Sequence, residues 1–255
     1  DQGVGYIILG LGGSATNDGG AGMLAALGVR FINDKGEVID PSGGTLHSIV
    51  AIDFSRMDPR LKGVKIEAAC DVDNPLVGMQ GASFVFGRQK GANIEMMKEL
   101  DENLKHYANI LKRYVSFDVS EIPGAGAAGG MGAAVISVLK GDLRRGIEIV
   151  LDYTNFDKHI EDAHLIITGE GRIDKQTAYG KAPVGVAGRA KRFSVPVIAI
   201  GGSVSSDYSA VYEKGIDAVF SITTRPMTLE EAYKVAEENI EMTTKNIAIV
   251  WKIAS

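Results

Sequence analysis

The sequence predicts an α/β chain in two regions: a mixed α/β domain over residues 1–154, and part of a doubly wound parallel-sheet domain over residues 155–255. Three observations carry this. After residue 153, short apolar runs of strand type alternate with helical segments through short loops, the pattern of right-handed crossovers on a parallel sheet. Before it, a hairpin signal and a long stretch of helical periodicity stand in one region. Glycine, 32 of 255 residues, falls in clusters at residues 10–22, 124–132 and 169–171. Each cluster abuts regular structure, so the glycines shape tight turns with exposed amides rather than a flexible linker.

In chain order, the apolar residues 6–9 predict a buried strand, and a glycine turn leads to a helix over about 19–27 that Gly28 stops as a left-handed cap. A hairpin follows, with arms 29–32 and 37–39 around Asn33-Asp34-Lys35-Gly36. Residues 64–69 form a strand that runs into the polar stretch before Pro75, where regular structure stops. From Asn93 as N-cap, Ile94, Met97, Leu100, Leu104, Tyr107, Ile110, Leu111 and Tyr114 recur at helical spacing. A small-residue helix over 131–139 closes at Gly141. Strands 165–168, 197–200 and 218–222 then alternate with helices 183–192 and 207–214, and a last helix runs from about 229 toward 251.

Lysine and arginine number 27 against 32 aspartates and glutamates, a net charge of -5. That offers no basic footprint for nucleic acid or an anionic membrane and points to a small-molecule partner. The single cysteine, Cys70, excludes an internal disulfide and reads as core. No run approaches the roughly 18 apolar residues that span a bilayer, and a cytoplasmic protein is expected. Asp1-Gln2-Gly3 carries neither an initiator methionine nor a signal-peptide pattern, so preceding sequence is expected to be absent.

Four motifs carry chemistry. GLGGSATNDGG, residues 10–20, sets amides and a helix N-terminus at a strand's carboxyl end, where phosphate or carboxylate binds. Gly12, Gly13, Ser14, Asn17 and Asp18 are its binding candidates, with helix capping by Asn17 or Asp18 the competing reading. DVDNPL, residues 71–76, sets Asp71 and Asp73 two apart, on one side of an extended chain, a geometry suited to magnesium or proton abstraction. Asn74 joins them as a binding candidate. GAGAAGGMG, residues 124–132, contains GxGxxG without a preceding strand, so Gly126 serves phosphate contact or close helix packing. GEGRIDKQTAYGK, residues 169–181, follows a buried strand directly. Its Glu170, Arg172, Asp174 and Lys181 supply the metal-directed and phosphate-directed charge that phosphoryl transfer needs. The Walker A pattern fails here, because no glycine stands at residue 175. The four histidines form no ligand set, and Arg189, Lys191 and Arg192 read as charges favoured at a helix C-terminus.

With GLGGSATNDGGAGM, ACDVDNPLVGMQGASFVFGRQKGA, PGAGAAGGMGAA and ITGEGRIDKQTAYGKAPVGVA in this order, the chain resembles the bacterial glycerate kinase family over essentially its whole length. The resemblance implies ATP- and magnesium-dependent phosphorylation of D-glycerate, commonly to 2-phosphoglycerate. It also implies a Rossmann-like domain interrupted by an inserted α/β domain. That family opens with a strand and a D-S-F-K-G motif, which this sequence does not contain. Residues 1–154 then correspond to the insertion and 155–255 to the returning part of the Rossmann-like domain, and the lone half-sheet is expected to expose an apolar edge or face. Asp71 or Asp174 is expected to take the hydroxyl proton, Asp73 and Glu170 to face magnesium, and Arg172 and Lys181 to neutralise the phosphoryl group. These groups and the Gly12 loop are expected to converge. Residues 10–15 are also similar to the phosphate loop of GHMP-type small-molecule kinases, which leaves that class as an alternative. A noncatalytic nucleotide- or organic-acid-binding regulator is another.

Overall fold

In the computed structural model, which describes residues 3–254, the first apolar run forms β1, Tyr6–Gly10. Asp1 and Gln2, which carry the reading of a cut chain start, lie outside the described residues. The chain divides into two units, Asp1–Gly146 and Ile147–Ser255.

In the first unit β1 leads to α1, Ala21–Ala26, and Gly28 ends the helix at φ 96. β2 (Arg30–Ile32) and β3 (Val38–Ile39) form the expected hairpin, with Phe31 opposite Ile39. β4, Ala51–Asp53, joins β2 on its other side and was not visible in the sequence, being only three residues long. β5 (Lys65–Ala69), α2 (Ala82–Phe86), α3 (Ile94–Val115), α4 (Ala127–Ser137) and β6 (Asp142–Arg144) complete the unit. One sheet is parallel in the order β1-β5-β6 and the other antiparallel in the order β3-β2-β4.

α3 forms as its periodicity predicts. The Asn93 side chain accepts from the Met96 amide, and Leu104, Tyr107 and Leu111 are buried in a core that includes Leu24, Phe31 and Leu46. Ser116, left-handed at φ 66, ends the helix. α4 starts irregularly, because Ala128, Gly129 and Gly130 are all left-handed before the helical turns begin. A Cβ at Gly130 would sit 2.6 Å from the Gly19 Cα, so the absent side chain lets two backbone segments touch. After α4 it is Lys140, at φ 52, that takes the left-handed conformation expected of Gly141. In the parallel sheet, Gly10 pairs with Ala69 at the carboxyl ends of β1 and β5. The glycine loop and the Cys70–Pro75 stretch therefore leave the same end of the sheet, where open α/β sheets place ligands.

The second unit contains α5 (Gly146–Tyr153), α6 (Phe156–Ile160), β7 (Ile166–Ile173), α7 (Ala182–Ala190), β8 (Val197–Val204), β9 (Ala218–Ser221), α8 (Leu229–Lys234) and α9 (Ala236–Ala254). Its three strands are parallel in the order β7-β8-β9. Ile173, Val197 and Ala199 pack with Val184, Ala187 and Ala190 of α7 in its core. Three sequence readings change here. Gly169 through Ile173 belong to β7, because Gly169 pairs with Ile200 and Arg172 with Ser203. The segment Tyr208–Lys214 is a 3-10 helix, and the last helix breaks at Val235. Arg189 stands in the last turn of α7, as its helix-end reading expects, and does more besides. It is 7% exposed and bridges Glu148, Asp152 and Asp157, tying α7 to α5 and α6.

The parallel sheet of this unit keeps apolar side chains in solvent, with Ile167 and Phe220 exposed. No helix among the described residues is long and apolar enough to cross a membrane.

Candidate functional site

At the carboxyl end of β1 and β5 a cavity of about 250 Å³ opens, lined among others by Gly12, Gly13, Ser14, Cys70, Asp71 and Lys90. Gly13 is left-handed at φ 69, and a Cβ on Gly12 or Gly13 would meet nothing within 4 Å. The loop backbone thus faces open space. The amides of Gly12 and Gly13 donate to no protein group among the described residues, whereas the turn at residues 12–13 directs the Ser14 amide back toward the Leu11 carbonyl. Consecutive free amides in a left-handed turn make an anion-binding concavity.

The other candidates of that motif do different work. Both Asp18 carboxylate oxygens accept backbone amides, from Gly20 and Gly22 at 2.9 Å each. The acid occupies the N-terminus of α1 itself, so an incoming anion finds that helix end already neutralised. Asp18 is a cap, and the expectation that it binds phosphate is corrected. Asn17 points into the protein, its amide nitrogen donating to Ser83 Oγ at 2.9 Å.

Asp71 lines the same cavity. One of its oxygens accepts the Gly146 amide at 2.9 Å, which fixes the carboxylate while leaving the other oxygen to solvent. Asp73 is exposed and has no partner among the described residues. Asn74 donates to the Gln80 carbonyl at 2.8 Å, holding the turn after the two acids. Gly126 is buried, its amide donates to the Asn74 carbonyl at 3.0 Å, and a Cβ there would run into the Pro75 carbonyl oxygen. Phosphate contact at Gly126 is therefore corrected to packing: this glycine braces the loop that carries Asp71 and Asp73. Cys70 is buried, as expected, and burial raises its thiol pKa.

Sequence reasoning missed Lys90. Its ammonium reaches back from the turn after α2 to Ser14 Oγ at 3.0 Å and the Thr16 carbonyl at 2.7 Å. Desolvation lowers its pKa, opposed by the charge of Asp18. A lysine just before Gly91 reads as an ordinary helix-end charge, and only the folded chain brings it onto the glycine loop.

In the second unit the charged motif is a cluster on the end of β7 and the turn after it. The Asp174 side chain accepts the Gln176 and Thr177 amides and forms a capping box with Thr177. Its other oxygen lies 3.4 Å from Arg172 Nε. Lys181 Nζ is 3.5 Å from Glu170 Oε2 and 3.8 Å from Asp174 Oδ1, and Thr177 Oγ1 donates to Glu170. Asp174 thus has both oxygens engaged, unlike Asp71. No group of three or more His, Cys, Asp or Glu side chains that could hold a metal occurs among the described residues.

The chain is an α/β protein with a glycine loop beside a lysine and a carboxylate in one unit and a mixed charge cluster in the other. The model of the glycerate kinase family matches residues 1–252. The chain is 85% identical over 255 residues to a glycerate kinase of Bacillus cereus, covering all of this chain and 67% of that protein. It is 52% identical over 248 residues to a glycerate 2-kinase of Escherichia coli, covering 97% of this chain and 65% of the relative. The crystal structure of a protein assigned as glycerate kinase 2 from Salmonella typhimurium LT2 superposes with a TM-score of 0.85 at 50% identity, over 99% of this chain and 66% of that one. The chain belongs to the glycerate kinase family, and spans about two thirds of the length of these relatives. The GHMP-type reading of residues 10–15 and the regulator reading give way to it.

Proposed function

We propose that the protein transfers the terminal phosphoryl group of ATP to D-glycerate, giving 2-phosphoglycerate, the outcome to which its likeness to a glycerate 2-kinase points. The observation that carries the reading is the pairing, in one cavity, of the free Gly12 and Gly13 amides with a carboxylate that has one oxygen available. Kinase chemistry needs an acceptor for the hydroxyl proton, and an acid substrate needs donors that hold its own negative charge.

Asp71 takes the hydroxyl proton. Asp174, which the sequence left level with it, is the weaker candidate, since its oxygens already serve as a cap and as a partner of Arg172. Arg172 and Lys181 neutralise charge on the phosphoryl group, and Glu170 with Asp174 holds those two cations in place. Magnesium fits the donor set in the way usual for nucleotide enzymes, one or two carboxylates with phosphate oxygens completing the shell rather than an all-protein cage. Asp73 would face it with an unpartnered carboxylate, with Glu170 the second candidate; bound there, the ion would shield the phosphate charges.

The test is a coupled assay of the full-length enzyme with ATP and D-glycerate, with the phosphorylated position read by NMR. Asp71→Asn is expected to lower turnover roughly 100-fold or more with unchanged thermal unfolding, the loss typical of a removed general base. Lys181→Met is expected to lower turnover as well. Asp174→Asn keeps the cap, since asparagine caps as well as aspartate, and loses less. Near-normal turnover in Asp71→Asn overturns the assignment of the base.

A further inference from the structure

We propose that Lys90 recognises the carboxylate of the acid substrate, gripping it together with the Gly12 and Gly13 amides and so turning the hydroxyls toward Asp71. The inference rests on the kinase reading above and adds to it the group that selects an acid.

Lys90 is half-buried, yet its two protein partners are both neutral oxygens, and no carboxylate lies within ion-pair distance among the described residues. The charge of Asp18 offsets its desolvation only in part, and a partly desolvated ammonium so placed is unfavourable unless an anion compensates it. With two of its three protons directed to Ser14 and Thr16, one remains for a ligand. The amides of Gly12 and Gly13 are free and line the same cavity. Two neutral donors and one cation are thus available to one ligand.

The other wall decides what kind of anion fits. Asp71 carries the opposite charge to Lys90 in the same cavity, so the ligand must be anionic at one end and a proton donor at the other. A small hydroxy acid has that polarity, whereas a triphosphate would set charge against Asp71. Size agrees: about 250 Å³ lies below the roughly 300–1,000 Å³ of pockets for drug-sized ligands, which suits a three-carbon acid better than a nucleotide.

Two other roles for Lys90 make different predictions. A mere tether of the glycine loop would, when cut, disturb both substrates and stability. A phosphate clamp would act on ATP. The experiment compares wild type, Lys90→Met and Lys90→Arg of the full-length enzyme for both KM values, kcat, thermal unfolding, and the preference for glycerate over its neutral isostere glyceramide. The expected result for Lys90→Met is a glycerate KM raised about 30-fold or more, the effect of removing one partner of a desolvated charge pair. The ATP KM and unfolding temperature stay near wild type, the preference for the acid over the amide collapses, and Lys90→Arg recovers part of it. An equal rise of both KM values with lowered stability, a rise confined to ATP, or no change in acid preference would each overturn the proposal. If wild type phosphorylates no glycerate, it is the kinase reading that fails, which the parent enzyme alone reveals.

Discussion

Lys90 is a charge whose own environment works against it. Burial lowers its pKa from the ordinary lysine value of 10.5, and the neighbouring charge of Asp18 only partly restores it. The free enzyme therefore loses this ammonium at a lower pH than it would lose an exposed lysine. If Lys90 grips the carboxylate, kcat/KM for glycerate falls as pH rises through that lowered value, since only the protonated form attracts the acid. The other ionisable groups on the cavity are Asp71 and Cys70, and burial raises the thiol pKa, so it stays neutral in the range where an ordinary thiol would ionise. A pH profile of kcat/KM for each substrate checks this: an alkaline fall for glycerate that disappears in Lys90→Met is expected. None of this was legible from the sequence, because Lys90 lies 76 residues from the hydroxyl it meets. The positions of Asp71 and Ser14 in the loops after two strands were legible, since a polar residue beyond a strand's carboxyl end needs no long-range knowledge. Asp18 was ambiguous for a physical reason: the residue type that caps a helix and the residue type that lines a polar loop are the same.

At the scale of elements, Arg189 does more than its place at the end of a helix predicts. Its guanidinium joins three carboxylates across α5, α6 and α7, at 2.7 Å to Glu148, 2.8 Å to Asp152 and 3.0 Å to Asp157. The acids are 36 to 43% exposed, so water can take them back if the arginine goes. The loss should therefore fall short of the roughly 3–5 kcal/mol for breaking a fully buried pair, at about 1–3 kcal/mol. Lys191, paired with Asp217 across 2.8 Å with both partners over 40% exposed, should contribute less than about 1 kcal/mol. Denaturant unfolding of Arg189→Met and Lys191→Met compares them; equal losses would contradict the argument. The strands and helices themselves were mostly legible because they rest on periodicity, as α3 does. β7 was cut short because GEGR reads as a loop by composition. Its glycines stay in the strand through pairing with β8, and a Cβ at Gly169 would lie 2.8 Å from the Ile200 carbonyl oxygen. The cluster at residues 124–132 was undecidable for a related reason. A glycine that admits a phosphate and a glycine that admits another backbone both need the missing Cβ, and only tertiary structure shows that Gly126 meets Pro75.

For the molecule as a whole, the balance of surface and core is the informative quantity. The sequence reading expected an exposed apolar edge or face on the half-sheet; exposed apolar side chains also stand on α8 and α9, which it did not foresee. Leu229 is 69% exposed, Tyr233 73%, Val250 64% and Ile253 80%. Single exposed apolar residues are ordinary, but several on neighbouring helices form the kind of patch that binds apolar dyes and promotes association. The 255-residue chain should therefore enhance the fluorescence of an anilinonaphthalene dye under native conditions. Dye binding alone would not distinguish an exposed native patch from a loosened core, because partly folded states bind the same dye. Replacing the four residues with glutamine separates the two. They bury little, so each change should alter stability by no more than about 0.5 kcal/mol. A native patch then predicts that the variant loses most of the dye signal while its unfolding temperature stays near that of the parent. A loosened core predicts that the signal persists, because Ile173, Val197 and the other core residues are untouched. Persistence of the dye signal in the fourfold variant would show that Leu229, Tyr233, Val250 and Ile253 are not its source.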